Sequence, residues 1–114
     1  MKFYGSSDLS LEIAASVFAA LGSEQRLSVL RCLVRAGDSG LSIGKLGERT
    51  GVTGSTLTHH MKILTHAGLV TQKKQGRSII CAALAYDAVR QLSDFLLLEC
   101  CADSSQPDTC DEHG

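Results

Sequence analysis

Glycine punctuation is the feature that most limits how this chain can fold. Gly22, Gly37, Gly51 and Gly68 each fall just after a stretch with apolar residues at three- and four-residue spacing. A glycine there ends a helix at little steric cost, because it accepts the left-handed backbone that closes a last turn. The first two-thirds of the chain is therefore a set of short helices, none stable alone in water. Leu9, Ile13, Val17 and Leu21 predict the first, from about Asp8 to Leu21, with Asp8 as N-cap and Glu12 in its first turn. Ser23 caps a second, Glu24 to about Ala36, with Leu27, Leu30 and Val34 as one stripe. A third, about Ile43 to Thr50, is capped by Ser42 and stopped by Gly51. After the break Gly51-Val52-Thr53-Gly54, a fourth runs from about Ser55 to Ala67. It has Leu57, Met61 and Leu64 facing inward and Gly68 closing it.

Two β-like runs follow, Leu69 to Lys73 and Ser78 to Ala83, joined by Lys74-Gln75-Gly76-Arg77 as a hairpin tip. A last helix is expected from about Tyr86 to Cys101. Its Phe95-Leu96-Leu97-Leu98 run covers every side of a helix, more than a core this small can hide. Pairing with the same helix of a second copy is the simplest answer. The order is α-α-α-α-β-β-α: mainly α with a small β-hairpin wing, a winged helix-turn-helix paired through its first and last helices. Residues 1–101 read as one domain, and residues 102–114, rich in Asp, Ser, Gln, Pro and Thr, as a flexible tail.

Charge narrows the function. The net value of −1 conceals a balance of +6 over residues 24–77 and of −6 over residues 78–114. A basic middle is where a polyanion would bind. Aromatic content of 4% is too low for a stacking surface, which argues against single-stranded nucleic acid. The longest apolar run, Ile79 to Tyr86, has eight residues, against the roughly 20 that a membrane helix needs. Met1 to Asp8 lacks the apolar stretch of a signal peptide, so a cytoplasmic location is expected. No nucleophile–base pair, paired acids or phosphate loop stands out, and Gly44-Lys45-Leu46-Gly47 lacks P-loop spacing. An enzyme is not expected.

A helix that reads the major groove needs small polar and hydrogen-bonding side chains on its outer face. The fourth helix supplies Ser55, Thr56, Thr58, His59 and Lys62. His60 has two readings, a phosphate contact or a buried hydrogen-bonding histidine where helices touch. Lys73, Lys74 and Arg77 would lie over phosphates or in the minor groove at the wing tip. The other reading of these three is charge that protects a short exposed hairpin from pairing.

The block Phe18-Ala19-Ala20-Leu21-Gly22-Ser23-Glu24-Gln25-Arg26-Leu27-Ser28-Val29-Leu30 resembles the opening helices of the ArsR/SmtB family of metal- and metalloid-responsive repressors. So do Ser55 to Val70 and the Gly76-Arg77 wing that follows. The resemblance covers about residues 9 to 101. It implies a homodimer on double-stranded operator DNA with an inverted repeat, released when an inducer binds. Two family patterns are missing. Leu41 to Glu48 holds no Cys-x-Cys pair, and the last helix has Asp87, Asp94 and Glu99 but no His for a zinc site.

The cysteines remain. Trivalent arsenic or antimony takes three thiolates, in keeping with its softness, and Cys100, Cys101 and Cys110 would supply them. Two adjacent cysteines at a fraying helix end can aim both sulfurs at one ion. A vicinal disulfide between them is strained, since neighbouring Cα atoms are about 3.8 Å apart and bridges want about 4.4 Å or more. The arsenic-responsive subgroup of the family with a Cys-Cys pair closing its last helix is similar. Cys81, on the second wing strand, is either a small buried residue or a partner to Cys100 or Cys101 in a two-thiolate site suited to a monomethylated arsenical. Cys32 is expected in the core. The expected function is a repressor released by arsenite, methylarsenite or antimonite, with no organic cofactor. The alternatives are a thiol-redox or persulfide-sensing repressor of the same fold, and an arsenic-buffering thiol protein.

Overall fold

The computed structural model describes residues 9–104. Asp8, the expected first cap, lies outside them. Ser10 does the capping instead, its hydroxyl accepting a hydrogen bond from the Ile13 amide at 3.1 Å, and α1 spans Leu11–Ala20. Helix α2 (Glu24–Ala36) starts where Ser23 predicts, with the Ser23 hydroxyl accepting from the Arg26 amide at 3.3 Å. Helix α3 (Ile43–Thr50) likewise begins on the Ser42 hydroxyl and ends at left-handed Gly51. Each of these caps satisfies one amide that the first turn leaves without a helical partner.

Thr50 shapes the turn into the next helix. Its hydroxyl donates to the Leu46 carbonyl at 2.8 Å and accepts from the Val52 amide at 3.2 Å, and this draws Val52 into the core. Helix α4 follows at Gly54–His66. Gly68 (φ +82) closes it with the Gly68 amide on Thr65 O and the Leu69 amide on Leu64 O, the paired bonds of a Schellman motif. Leu57, Met61 and Leu64 are buried, as their spacing requires.

One element was not expected. Leu41–Ser42 forms a two-residue strand, β1, beside the hairpin strands β2 (Val70–Gln75) and β3 (Ser78–Ala83). The sheet is antiparallel in the order β1-β3-β2, with Leu41 opposite Cys81 and Ser42 opposite Ile80. Gly40 makes this possible. Its φ is +72, and a Cβ there would collide with the Cys81 carbonyl oxygen, so only glycine lets β1 come alongside β3. The hairpin tip is also tighter than the four residues expected. Gln75 pairs with Ser78, and Gly76-Arg77 alone makes the turn, with positive φ at Gly76 only, the II′ pattern.

Helix α5 spans Ala85–Leu97, four residues short of the expected end. Leu98 turns to ψ 129 and carries the chain out of the helix, so Cys100 and Cys101 lie in the turns beyond it rather than in its last turn. Ala88 and Leu92 are buried, whereas Leu96, Leu97 and Leu98 are 66%, 65% and 67% exposed. Leu11 on α1 is 76% exposed, and Phe18 and Val89 are partly bare as well. The core itself joins α1 (Ala14, Val17), α2 (Val29, Leu33), α3 (Leu46), α4 and the sheet (Leu69, Val70, Cys81). Cys32 packs against it, as expected. Among the described residues no helix is long and apolar enough to cross a membrane.

Gly40 and Gly51 allow a controlled comparison. Gly51 (φ +75) has open space where a Cβ would go, so Gly51→Ala should cost only the left-handed backbone penalty of about 1–2 kcal/mol. Gly40→Ala adds a steric clash with the sheet and should cost about 1–3 kcal/mol more in urea denaturation.

Candidate nucleic-acid interface and thiol pair

Ser55, Thr56, Thr58, His59 and Lys62 are all exposed along one side of α4, opposite the buried Leu57–Met61–Leu64 face. Thr58 turns its hydroxyl back to the Gly54 carbonyl at 3.3 Å. Thr53 precedes the helix without a side-chain cap, so the first-turn amides are left to solvent or an outside acceptor. Lys73, Lys74 and Arg77 are exposed around the hairpin end. Lys73 and Lys74 stand on β2 opposite Ile80 and Ile79, with Arg77 in the turn itself. Neither these three nor Lys62 forms an ion pair with another described residue, so their charge is available to a polyanion.

His60 takes the second of its two readings. It is 7% exposed and sits between α4 and α2, where it cannot reach a phosphate. Its Nδ1 faces the Arg26 guanidinium at 3.2 Å and its Nε2 faces Gln25 Oε1 at 2.9 Å. A guanidinium can only donate, so Nδ1 must be the acceptor and Nε2–H the donor. That fixes one neutral tautomer. Arg26 also donates through Nε to the Ala20 carbonyl at 2.6 Å, joining the end of α1 to the same cluster. The His59 ring lies against His60, with centroids 5.8 Å apart and tilted by 51°. Burial first, then the Arg26 charge and His59, holds the His60 pKa below its ordinary value of 6.5. Gln25 and Arg26 are partners that the sequence does not announce. Both lie in the quoted N-terminal block, but a contact across 34 or 35 residues leaves no local periodicity.

At the far end of the chain, the Cys100 and Cys101 Sγ atoms are 3.5 Å apart. Two sulfurs bound to one soft ion at about 2.3 Å each stand roughly 3.3–3.8 Å apart, so the pair fits a shared ion. Successive turns hold it: the Cys100 amide donates to Leu97 O at 2.9 Å, Ala102 to Glu99 O at 2.9 Å and Ser104 to Cys101 O at 3.0 Å. Glu99 (φ +58) and Cys101 (φ +65) take left-handed backbone that non-glycine residues seldom adopt. Cys100 is an exposed free thiol, and Cys101 is disulfide-bonded. Cys110 lies outside the described residues. Among the described residues, no three His, Cys, Asp or Glu side chains come together as a metal site.

Cys81 is in a different environment. It is fully buried in the middle strand, opposite both Leu41 and Gln72, and burial raises its thiol pKa above the ordinary range. The Gln72 amide at 4.0 Å offsets this only partly. A protonated thiol without access is a poor ligand and a poor nucleophile.

The comparisons with known proteins agree with this geometry. A model described as a helix-turn-helix domain matches residues 21–73, from the end of α1 into the first hairpin strand. An ArsR-like transcriptional regulator from Rhodococcus sp. RHA1 superposes with a TM-score of 0.66 at 30% identity, covering 81% of this chain and 84% of that one. The chain belongs to the ArsR family of helix-turn-helix transcriptional regulators. Its relatives are described as helix-turn-helix transcriptional regulators. An uncharacterized regulator of Bacillus subtilis, YceK, is 37% identical over 67 residues, covering 59% of this chain and 66% of that protein. A putative arsenical resistance operon repressor of Halobacterium salinarum is 35% identical over 68 residues, 60% of this chain and 52% of its own length. The chain thus spans between half and two thirds of the length of these two curated relatives. A homodimeric winged helix-turn-helix domain from Mycobacterium bovis shares the fold, with a TM-score of 0.63 at 20% identity over 91% of this chain and 96% of that one.

His60 gives the regulator a calculable acid sensitivity. Its folded pKa is lowered, so the unfolded chain takes up a proton first as pH falls. The stability it contributes is complete above pH 6.5 and is lost as pH falls from there toward the folded value. His60→Gln cannot ionise, so its unfolding midpoint in urea should fall less than the wild type's between pH 7.5 and about pH 5. An equal fall in both proteins would show that the imidazole is not held neutral.

Proposed function

We propose that this chain is a metalloid-responsive repressor. In this reading it binds an inverted-repeat operator as a homodimer and is released when trivalent arsenic or antimony is captured by cysteine thiolates in the cytoplasm. The observation that carries the proposal is the Cys100–Cys101 pair, with Sγ atoms 3.5 Å apart in the turns just past α5, where Cys101 becomes a thiolate donor once its disulfide is reduced. Cys110 is the proposed third donor. The donor chemistry fits: soft thiolates suit a thiophilic ion, and no imidazole is needed. The Halobacterium relative, named for arsenical resistance, supports the same direction.

The proposed dimer is supported by the bare apolar side chains on α1 (Leu11, Phe18) and at the end of α5 (Leu96, Leu97, Leu98). Covering them with a second copy removes a hydrophobic surface that a monomer would leave in water. The Mycobacterium bovis domain of the same fold, described as homodimeric, supports pairing. Two recognition helices would then enter successive major grooves about 34–36 Å apart, with the wings over flanking phosphates. An ion held by the thiol turn acts beside the α5 leucines, where a small change in helix direction alters the spacing of the reading heads. A coupling of about 1–3 kcal/mol, or 5–150-fold in operator affinity, is enough for derepression.

One observation favours a second reading. Cys101 is disulfide-bonded with the free Cys100 thiol beside it, an arrangement that suits thiol–disulfide exchange in a redox or persulfide sensor. Cys81, the other sulfur considered for either scheme, is too deeply buried to take part directly.

Fluorescence anisotropy of the reduced protein on the DNA upstream of its own gene separates the readings. Arsenite or antimonite should release wild-type protein, while Cys100→Ser/Cys101→Ser should bind the same DNA with unchanged affinity and stay bound. Release of the double variant by arsenite would sink the site assignment. Release by polysulfide or peroxide alone, reversed by dithiothreitol, would select the redox reading.

A further inference from the structure

The recognition helix has a second flank that shares only His59 and Lys62 with the base-reading face. Between α4 and α1 runs an open groove of about 620 Å³, walled on the α4 side by His59, Lys62 and His66 and on the α1 side by Ser16 and Ala19. No carboxylate lines it. Residues 59, 62 and 66 are spaced three and four apart, so they form one stripe roughly 10 Å long on the helix. Lys62 has no ion-pair partner among the described residues. On the opposite wall, Ser16 and Ala19 are small and exposed, which keeps that wall low enough for a polymer backbone to enter. The stripe also continues the DNA-reading face, since His59 and Lys62 belong to both.

The geometry points to this α1–α4 groove as a seat for the sugar–phosphate backbone of duplex DNA. Lys62 supplies the charge, the His59 and His66 rings and the Ser16 hydroxyl supply hydrogen-bonding groups, and the contact is independent of sequence. The inference rests on the DNA-binding reading and extends it to α1 and His66, which the α4 base-contact face and the wing do not include. Its effect is to fix the angle at which α4 lies in the major groove, because a strand held between the two helices sets their orientation to the duplex. A second copy of the chain is a poor occupant, because a stripe with an unpaired lysine is costly to bury against a protein without a partner carboxylate.

Two substitutions at exposed α1 positions test it from opposite directions. Ala19→Lys adds a charge to the groove, and Ser16→Glu places a carboxylate opposite Lys62. Affinity is measured by anisotropy over a salt series, on a labelled random-sequence duplex and on the promoter DNA, with sedimentation velocity for the oligomeric state. Ala19→Lys should steepen the slope of log affinity against log salt by roughly 0.9, and Ser16→Glu should flatten it by a similar amount. Both changes should be alike on the two duplexes. A gain of slope in Ala19→Lys cannot come from misfolding. Unchanged slopes in both variants, with the wild type binding normally, would overturn the groove assignment while leaving the DNA-binding reading intact. Loss of the dimer in Ser16→Glu would make the groove a protein contact and likewise overturn it. A wild type that binds neither duplex would remove the DNA-binding reading itself.

Discussion

Helix α4 is oriented by one neutral imidazole. His60 accepts from Arg26 on one side and donates to Gln25 on the other, and Arg26 reaches on to the last turn of α1. Three helices thus meet at His60, the one buried polar side chain among the described residues, through a half-buried Arg26 and an exposed Gln25. An unpaired group there would cost roughly 1–3 kcal/mol, so α4 cannot roll about its axis without breaking the cluster. The exposed stripe of Ser55, Thr56, His59 and Lys62 therefore keeps one direction in space. Hydrophobic contacts from Leu57, Met61 and Leu64 supply adhesion but tolerate sliding; the directional bonds of His60 do not.

Much of this architecture could be read from the chain because its boundaries are set by local chemistry. Ser23 and Ser42 cap where they stand, Gly51 and Gly68 stop helices in the left-handed region, and the β3 limits follow from its own residues. The errors fall where two local candidates compete or where no local signal exists. Ser10 caps α1 in place of Asp8. The leucine run after Phe95 looks helical to its end, yet Leu98 leaves the helix. Strand β1 has two residues, too few to show a period of two, and only the steric demand at Gly40 betrays it. For the candidate site, the exposed face of α4 was legible from composition and spacing. The fate of His60 was not, because its partners lie on another helix 34 and 35 residues away.

The cysteines divide by environment more sharply than by sequence. Cys81 and Cys100 are both free thiols, but one is sealed in the centre of a sheet and the other stands in an exposed turn. Position relative to the core thus separates a packing residue from a candidate sensor. The left-handed residues Glu99 and Cys101 strengthen that distinction. Backbone held in a sparsely populated region is a local cost that a purely structural tail has no reason to carry.

Ser42 occupies two roles at once, as the last residue of β1 and as the N-cap of α3. The sheet that carries the wing and the first helix of the helix-turn-helix are therefore joined with no linker between them. A wing on an ordinary hairpin could flex independently of the helices it flanks. Here the distance from the cationic tip at Arg77 to the start of α4 is set like the gap of a caliper, with β1 as its fixed jaw. On the proposed DNA-binding reading, such an instrument would measure duplex geometry: it would favour DNA whose major groove and neighbouring backbone already stand at that separation and resist sequences that must be deformed to fit.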